Sequence, residues 1–237
     1  RPAADWLIVD HYRLGRRWES MLCSAARRIL AIDDLANRDH NCDLLLDQNL
    51  YANTEIRYAA KIPTQVRRLL GPRYALLRPS FRARRRQVRP RRPPVRRMFV
   101  FFGGADAGNE TGKALLGLSA TGIVGVAVDI LAGPLNPHNK QLRAQIADLP
   151  GATLHPPTPD ISELMAHADL SLGAAGTASW ERCCLGLPAL LVAVADNQVQ
   201  VGLALAACGV ADFLGKAADT TPERWGNASP LGSTVHG

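Results

Sequence analysis

Residues 169–198 read DLSLGAAGTASWERCCLGLPALLVAVADNQ. Two apolar runs, at 169–172 and 189–195, are each followed by small or polar residues and then by a stretch with helical periodicity. Apolar runs of this length that lead into helical periodicity are typical of β-α units. The stretch therefore predicts two buried strands, followed by helices over residues 177–185 and 197–208.

The same alternation extends from here toward the amino terminus. The predicted strands cover residues 98–102, 124–131 and 152–155, and the predicted helices cover residues 109–119, 137–147 and 160–168. Strands and helices that alternate in this way require a mostly parallel sheet covered on both faces. We therefore predict an α/β domain over residues 98–220, followed by a loosely ordered tail over residues 221–237.

A second α/β domain is predicted over residues 1–81. Its apolar runs at 6–10, 29–32 and 43–47 indicate strands, and residues 16–28 have helical periodicity. The chain opens with an arginine and reaches its first strand within a few residues. We therefore expect this domain to be incomplete and the chain to be a fragment of a longer protein.

A segment rich in arginine and proline, residues 82–97, separates the two predicted domains. It contains nine arginines and no acidic residue. Prolines remove backbone donors and like charges repel, so this composition predicts a solvated linker. Without these nine arginines the chain has 19 basic and 21 acidic residues, so the net charge of +7 comes from this one segment.

Binding of nucleic acid by this arginine-rich segment is the alternative from a different functional class. Aromatic residues make up 5% of the chain and none lies among these arginines. The aromatic stacking used by proteins that bind single-stranded nucleic acids is therefore missing. We expect no nucleic-acid partner.

Cysteine content and hydropathy indicate the compartment. The five cysteines form an odd set with no C-x-x-C pair, which is typical of reduced thiols in a cytosolic protein. No apolar run approaches the roughly 18 residues of a membrane span. We therefore expect a cytoplasmic protein without a membrane partner.

Candidate functional residues follow the predicted strands, where parallel sheets bind their ligands. Gly103 and Gly104 follow one strand, and Gly176 and Thr177 follow another, with Glu181 in the next helix. Small residues and a helix amino end suit a diphosphate, and a carboxylate can accept hydrogen bonds from a ribose diol. A simple strand–helix turn with a glutamate in the first helical turn is the alternative.

Two further strand exits carry polar residues. Asn197 and Gln198 could bind sugar hydroxyls, although Asp196 before them also fits an ordinary helix cap. His11 and Tyr12 follow the first strand, and His11 is either a general acid or base or a structural histidine.

Several familiar motifs are absent from the sequence. There is no G-x-G, so a dinucleotide-binding fingerprint is excluded. Residues 108–114 partly match a phosphate-binding loop, but their first glycine is misplaced and Ala114 replaces the hydroxyl that would bind magnesium. There is also no D-x-D pair of the kind used by metal-dependent sugar-nucleotide enzymes. We expect neither a metal nor a cofactor.

Six segments carry a resemblance to a known family. They are VDHYRL (9–14), AIDDLANRDHNCDLLLDQN (31–49), LLGPRYALLRP (69–79), VFFGGAD (100–106), ADLSLGAAGTASWERCCLGLPALL (168–191) and ADNQ (195–198). In this order they resemble the UDP-2,4-diacetamido-2,4,6-trideoxy-β-L-altropyranose hydrolases. That family is similar to the MurG glycosyltransferases and has the GT-B fold, in which two Rossmann-like domains face a cleft.

The resemblance implies a metal-independent hydrolysis of a UDP-sugar. Water would attack the anomeric carbon, UDP would leave, and the free sugar would serve the synthesis of pseudaminic acid for surface glycans such as those of flagellin. The matching motifs imply catalytic roles for Tyr12 and Asn197, sugar binding by Gln198, and UDP binding by Gly103, Gly104, Gly176, Thr177 and Glu181.

One part of the family pattern is missing. The G-x-G-H-x-x-R loop that carries the family's catalytic histidine does not occur, and His11 belongs to a different motif. The resemblance therefore implies at most trace activity for this chain. A GT-B glycosyltransferase that uses the same UDP-sugar donor remains the alternative, because the fold does not separate the two activities.

Overall fold

The computed structural model describes residues 3–228. The chain divides into two compact units, one ending at Leu76 and the other beginning at Leu77.

The first unit is a four-stranded sheet with few helices. Its strands β1 (Ala4–Asp10), β2 (Ala26–Ile32), β3 (Leu44–Asp47) and β4 (Arg67–Leu70) are parallel and lie in the order 1-2-3-4. Helix α1 (Arg16–Met21) connects β1 to β2, and short 3₁₀ helices cover Thr54–Ile56 and Pro72–Tyr74. The core consists of buried strand residues and of Cys42, Tyr58, Ile62 and Val66 from the connecting segments; Tyr58 is fully buried.

The first unit differs from its prediction at two points. The predicted helix over 16–28 ends at Met21, because Ala26 and Ile29 are buried in a strand that pairs with β1 along its length. Strand β4 was not predicted. Its sequence RRLL exposes both arginines and lacks a continuous apolar run, so its pairing with β3 is what identifies it.

The second unit is a six-stranded parallel sheet covered by helices. Its strands are β5 (Arg97–Phe101), β6 (Ala127–Leu131), β7 (Ala152–His155), β8 (Leu170–Ala174), β9 (Ala189–Ala193) and β10 (Ala211–Lys216). They lie in the order 10-9-8-5-6-7. Its helices are α2 (Pro79–Arg85), α3 (Glu110–Ala120), α4 (Asn139–Ala147), α5 (Ser162–His167), α6 (Ala178–Leu185), α7 (Asn197–Ala207) and α8 (Pro222–Ala228), with a 3₁₀ helix at Ala217–Asp219.

Alternation along β5 places side chains on both faces of this sheet. Met98 and Val100 belong to the core beneath α3, α4 and α8, whereas Phe99 packs with Phe81 of α2 and with residues of α5 and α6. All of these side chains are fully buried. The prediction of an α/β fold with two mostly parallel sheets is confirmed.

The boundary between the units falls at Leu76–Leu77 and not within residues 82–97, for which a linker was predicted. Helix α2 anchors that segment through Phe81, which is fully buried. The sequence analysis missed this helix because arginines dominate the segment and only one of its apolar residues, Phe81, packs against the second unit.

Two more elements of the second unit were not predicted. Strand β10 pairs with β9 although its sequence ADFLGK is mixed in polarity. Helix α8 occupies part of the predicted loose tail, because Trp225 is fully buried and packs edge-on against Phe102. The rest of that tail, residues 229–237, lies outside the described residues.

Within residues 3–228, no helix has the length and apolar character needed to cross a bilayer. All five cysteines are free thiols, and Cys42 is the buried one.

Candidate active site

The order of strands in the second unit creates a switch point between β5 and β8. From β5 the chain adds β6 and β7 on one side, and then returns to add β8, β9 and β10 on the other side. Phe101 of β5 lies opposite Gly173 of β8, and Gly173 lies opposite Leu191 of β9. The carboxyl ends of these three neighbouring strands therefore lie side by side at one edge of the sheet. Ligands of doubly wound sheets bind in the crevice beyond the strands at such a point.

A buried arginine fastens β5 to β8 at this edge. Within the α6 sequence, Arg182 is only 2% exposed, and its guanidinium donates to the Ser171 hydroxyl at 3.0 Å, to the Ala174 carbonyl at 3.0 Å and to the Phe101 carbonyl at 3.2 Å. Burial lowers the pKa of Arg182 to about 10. A methyl group added at Gly173 would overlap this guanidinium and the Phe101 carbonyl, so Gly173 makes room for the arginine.

The loop after β5 carries Gly103 and Gly104. Gly103 has a φ of 98°, in the region that favours glycine, and a methyl group added at either residue would meet nothing within 4 Å. Gly133, which follows β6, abuts the other side of this loop, because a methyl group there would overlap the Gly104 backbone. The loop is therefore supported from β6 and open in front of both glycines.

The loop after β8 leads into α6. Thr177 is exposed and Gly176 is half-buried, and α6 begins at Ala178 without a side-chain cap from Thr177. The amino end of a helix carries partial positive charge and backbone amides that suit an anion. Gly176 and Thr177 thus lie where the switch point and a helix amino end coincide.

Glu181 lies in the first turns of α6 and is half-buried. Burial raises the pKa of its carboxyl group, while the nearby charges of Arg78 and Arg182 oppose that shift. The two cations favour the ionised carboxylate, which is the form that accepts two hydrogen bonds from a diol.

The side chain of Gln198 lies between the loop after β9 and the loop after β8. Its side-chain oxygen accepts from the Val194 N–H at 3.1 Å, and its side-chain nitrogen would lie 3.2 Å from a methyl group added at Gly176. Asn197 is the first residue of α7 and is half-buried. Asp196 makes no side-chain cap to α7 and instead pairs with Lys216 at 2.8 Å.

Tyr12 belongs to the first unit, where it follows β1 and is 61% exposed. Partial burial and the charges of Asp34, Asp10 and Asp33 raise the pKa of its hydroxyl. The neighbouring His11 accepts a hydrogen bond from the Arg13 N–H at 3.1 Å through Nδ1, which is a local turn contact.

Arg38 holds the loop that carries Tyr12. It donates to the Leu14 carbonyl at 2.8 Å and to the His11 carbonyl at 3.0 Å, and it pairs with Asp33 at 2.7 Å. The structure therefore connects this loop to a buried carboxylate at the end of β2.

That carboxylate is part of a buried polar network that the sequence reasoning did not identify. His40 lies 2.7 Å from Glu19 and 3.8 Å from Asp33, and all three are at most 3% exposed. Burial opposes both shifts, but the hydrogen bond to Glu19 and the negative charges of Glu19 and Asp33 raise the pKa of His40 to about 9. The hydrogen bond from the Ala36 N–H and the positive charges of Arg38 and His40 lower the pKa of Asp33 to about 2. The dense polar residues of IDDLANRDH, set between two apolar strands, were the available signal.

Arg182 and Gly133 were likewise missed. The available signals in the sequence were an arginine two residues after Trp180 in a short helix, for Arg182, and a glycine two residues after a predicted strand, for Gly133. Neither has a distinctive motif, because their roles depend on contacts between strands that are distant in sequence.

Two curated relatives are similar in sequence, whereas no family model matches the chain. The spore coat polysaccharide biosynthesis protein SpsG of Bacillus subtilis is 27% identical over 162 residues, which is 68% of this chain and 48% of SpsG. The UDP-2,4-diacetamido-2,4,6-trideoxy-beta-L-altropyranose hydrolase of Campylobacter jejuni is 29% identical over 140 residues, 59% of this chain and 48% of the hydrolase. The predicted resemblance is confirmed, and the matched regions span about half the length of each relative.

Solved structures show the fold. Acinetobacter baumannii MurG superimposes with a TM-score of 0.54 and 16% identity, over 89% of this chain and 58% of MurG. A kitacinnamycin glycosyltransferase gives a TM-score of 0.53 and 16% identity, over 91% of this chain and 48% of that enzyme. With the two parallel sheets, these matches assign the GT-B fold.

Proposed function

We propose that this chain is the nucleotide-binding part of a UDP-sugar enzyme. The observation that carries the proposal is the convergence of three strand exits at the switch point of the second sheet, beside the amino end of α6 and a half-buried Glu181. The GT-B fold and the two relatives, one named for a UDP-sugar and one for polysaccharide synthesis, support it.

The diphosphate would lie against the glycine loops. Gly103 and Gly104 leave open space in front of their backbone, so an anion can approach their amides closely. Gly176 and Thr177 would present the amino end of α6 to the same phosphates. Glu181 would accept hydrogen bonds from the two ribose hydroxyls.

The reaction we propose is hydrolysis at the anomeric carbon of a UDP-linked diacetamido-trideoxyhexose. Water adds its oxygen to the anomeric carbon and loses a proton to solvent, the bond from that carbon to the diphosphate oxygen breaks, and UDP leaves with the bonding electrons. Amides at a helix amino end stabilise the charge that develops on the leaving group. Free sugar is released, for use in a pseudaminic-acid type of surface glycan.

Three polar residues would act on the sugar. Asn197 at the start of α7 would contact the reacting sugar, with Gln198 beside it, held by the hydrogen bond from the Val194 N–H. Tyr12 follows β1, is 61% exposed, and would approach the sugar or the attacking water. These assignments are predictions that rest on the matching motifs.

Transfer of the sugar to an acceptor is the second candidate, because the solved structures that share the fold include glycosyltransferases. The two reactions differ in their products. Incubation with the UDP-sugar alone should release free sugar and UDP in equal amounts if the complete enzyme is a hydrolase. Turnover that begins only after an acceptor sugar is added would assign the transferase.

Nucleotide binding is tested by titrating UDP into the protein and into Glu181→Gln. The substitution keeps the size of the side chain but removes the charge that strengthens its hydrogen bonds to ribose. We expect UDP to bind about tenfold or more weakly, since a hydrogen bond to a charged group contributes about 1.5–3 kcal/mol. Glu223→Gln, on α8, is the matched control and should bind UDP normally. Equal affinities for all three proteins would refute the role of Glu181.

A further inference from the structure

The arginines of residues 82–97 differ in how they are used. Arg91 is fixed, because its guanidinium donates to the carbonyls of Ala168 at 2.7 Å, Leu185 at 2.6 Å and Met165 at 3.0 Å. This bonding holds the proline-rich chain on both sides of Arg91 against α5 and α6. The arginines around it therefore project from an anchored backbone.

An open cavity of about 340 Å³ lies between this segment and the end of α5. Its lining includes Arg84, Arg89 and Arg92, together with His167 and Asp169. Asp169 is the one carboxylate in this lining, and it already accepts the N–H groups of Arg96 and Arg97, both at 2.9 Å. The cavity is therefore lined mainly by cationic and uncharged groups.

The arginines in and beside the cavity outnumber the carboxylates that could neutralise them. Arg84 pairs with Glu163 at 3.1 Å, but Arg89 and Arg92 are exposed and have no ion pair among residues 3–228. The Arg85 and Arg91 guanidinium nitrogens would lie 3.4 and 4.0 Å from one methyl group added at Gly186, so these two like charges are close. An anion in the cavity would place negative charge beside Arg89, Arg91 and Arg92, which line it.

The cavity lies at the opposite end of the sheet from the candidate active site. Asp169 directly precedes β8 and Arg97 begins β5, so the cavity is at the amino ends of strands whose carboxyl ends form the switch point. A ligand held here could not be the diphosphate held by Gly176 and Thr177. The two sites can therefore be tested separately.

We propose that this cavity is a binding site for a phosphate group, held mainly by Arg89 and Arg92. Arginine presents several N–H donors in a fixed plane that matches phosphate oxygens. The phosphate would come either from a small soluble anion or from the headgroup of an anionic lipid, since both present the same oxygens. The segment carries no aromatic residues for base stacking, which disfavours a single-stranded nucleic acid.

The test compares Arg89→Gln/Arg92→Gln with Lys140→Gln/Arg143→Gln. Both double variants remove two exposed positive charges, but the control removes them from α4, away from the cavity. The amide signals around Arg89 and Arg92 report occupation of the cavity by each probe, and UDP is titrated separately into all three proteins to follow the candidate active site. The probes are inorganic pyrophosphate, vesicles of phosphatidylcholine with or without phosphatidylglycerol, and a single-stranded oligonucleotide.

We expect the protein to bind pyrophosphate or the phosphatidylglycerol vesicles, and whichever probe binds identifies the source of the phosphate. The Arg89/Arg92 variant should lose about tenfold or more of that affinity, since hydrogen bonds to charged groups are lost, while the control retains it. UDP affinity should be unchanged in both. The proposal is overturned if neither probe binds, if both variants lose affinity equally, or if the oligonucleotide alone binds.

Discussion

Replacing Arg182 tests whether the buried guanidinium holds the candidate active site together. Arg182→Met keeps most of the apolar volume but removes the donors to Ser171, Ala174 and Phe101. Each buried carbonyl left without a partner costs about 1–3 kcal/mol. Relief of the cost of burying the charge offsets part of that loss, so we expect a net destabilisation of about 2–4 kcal/mol.

The assay is thermal unfolding followed by calorimetry, with the transition of the second unit as the readout. For a unit of this size, about 1 kcal/mol lowers Tm by roughly 2–4 °C, so the expected decrease is roughly 4–16 °C. Arg182→Lys should lie between the two proteins, because an ammonium group cannot reach all three acceptors. Arg143→Met, on the exposed surface of α4, is the matched control and should change Tm little.

The same variant should bind UDP more weakly, because β5 and β8 are no longer fastened where their loops form the site. A Tm for Arg182→Met equal to or above that of the unmodified protein would refute this reasoning. It would mean that burying the charge costs as much as the three hydrogen bonds contribute.

Three further predictions concern other parts of the chain. Gly133→Ala should weaken UDP binding, because its methyl group would displace the Gly104 loop. Gly122→Ala has open space, and its φ of 64° should lower stability but leave UDP binding unchanged; equal titrations of the two variants would contradict this. Because the pKa of His40 is raised from 6.5 to about 9, its stabilising contribution is complete below 6.5 and lost as pH rises through about 9. Urea unfolding should show that loss, and His40→Gln should lack it; the same pH dependence in both proteins would contradict the assignment. Phe81→Ala should cost about 3–5 kcal/mol in urea unfolding, because Phe81 is fully buried, and a loss below about 1 kcal/mol would show that α2 is not anchored there.

The second unit was predictable where strands and helices alternate regularly. Strand β7 was located at residues 152–155 as observed, since the short segment ATLH is bounded by Gly151 and by Pro156 and Pro157. Strand β10 and helix α8 were missed because their burial comes from partners, β9 and the core around Phe102, and not from their own periodicity.

The candidate active site was predictable as far as the loops that contain it. Gly103, Gly176 and Gln198 could be identified because each follows a predicted strand. The strand order of the second sheet then brings the loops that carry them to the same edge of that sheet. The order itself was not predictable, because the same alternation is compatible with several arrangements. Arg182 remained hidden for the same reason, since two of its three acceptors are carbonyls of neighbouring strands.

The most direct test is to locate bound UDP by NMR on protein labelled at backbone amides. We predict that UDP shifts the amide signals of Gly103, Gly104, Gly176 and Thr177. Saturable binding that shifts signals elsewhere and leaves these four unchanged, or the absence of any binding, would contradict the account.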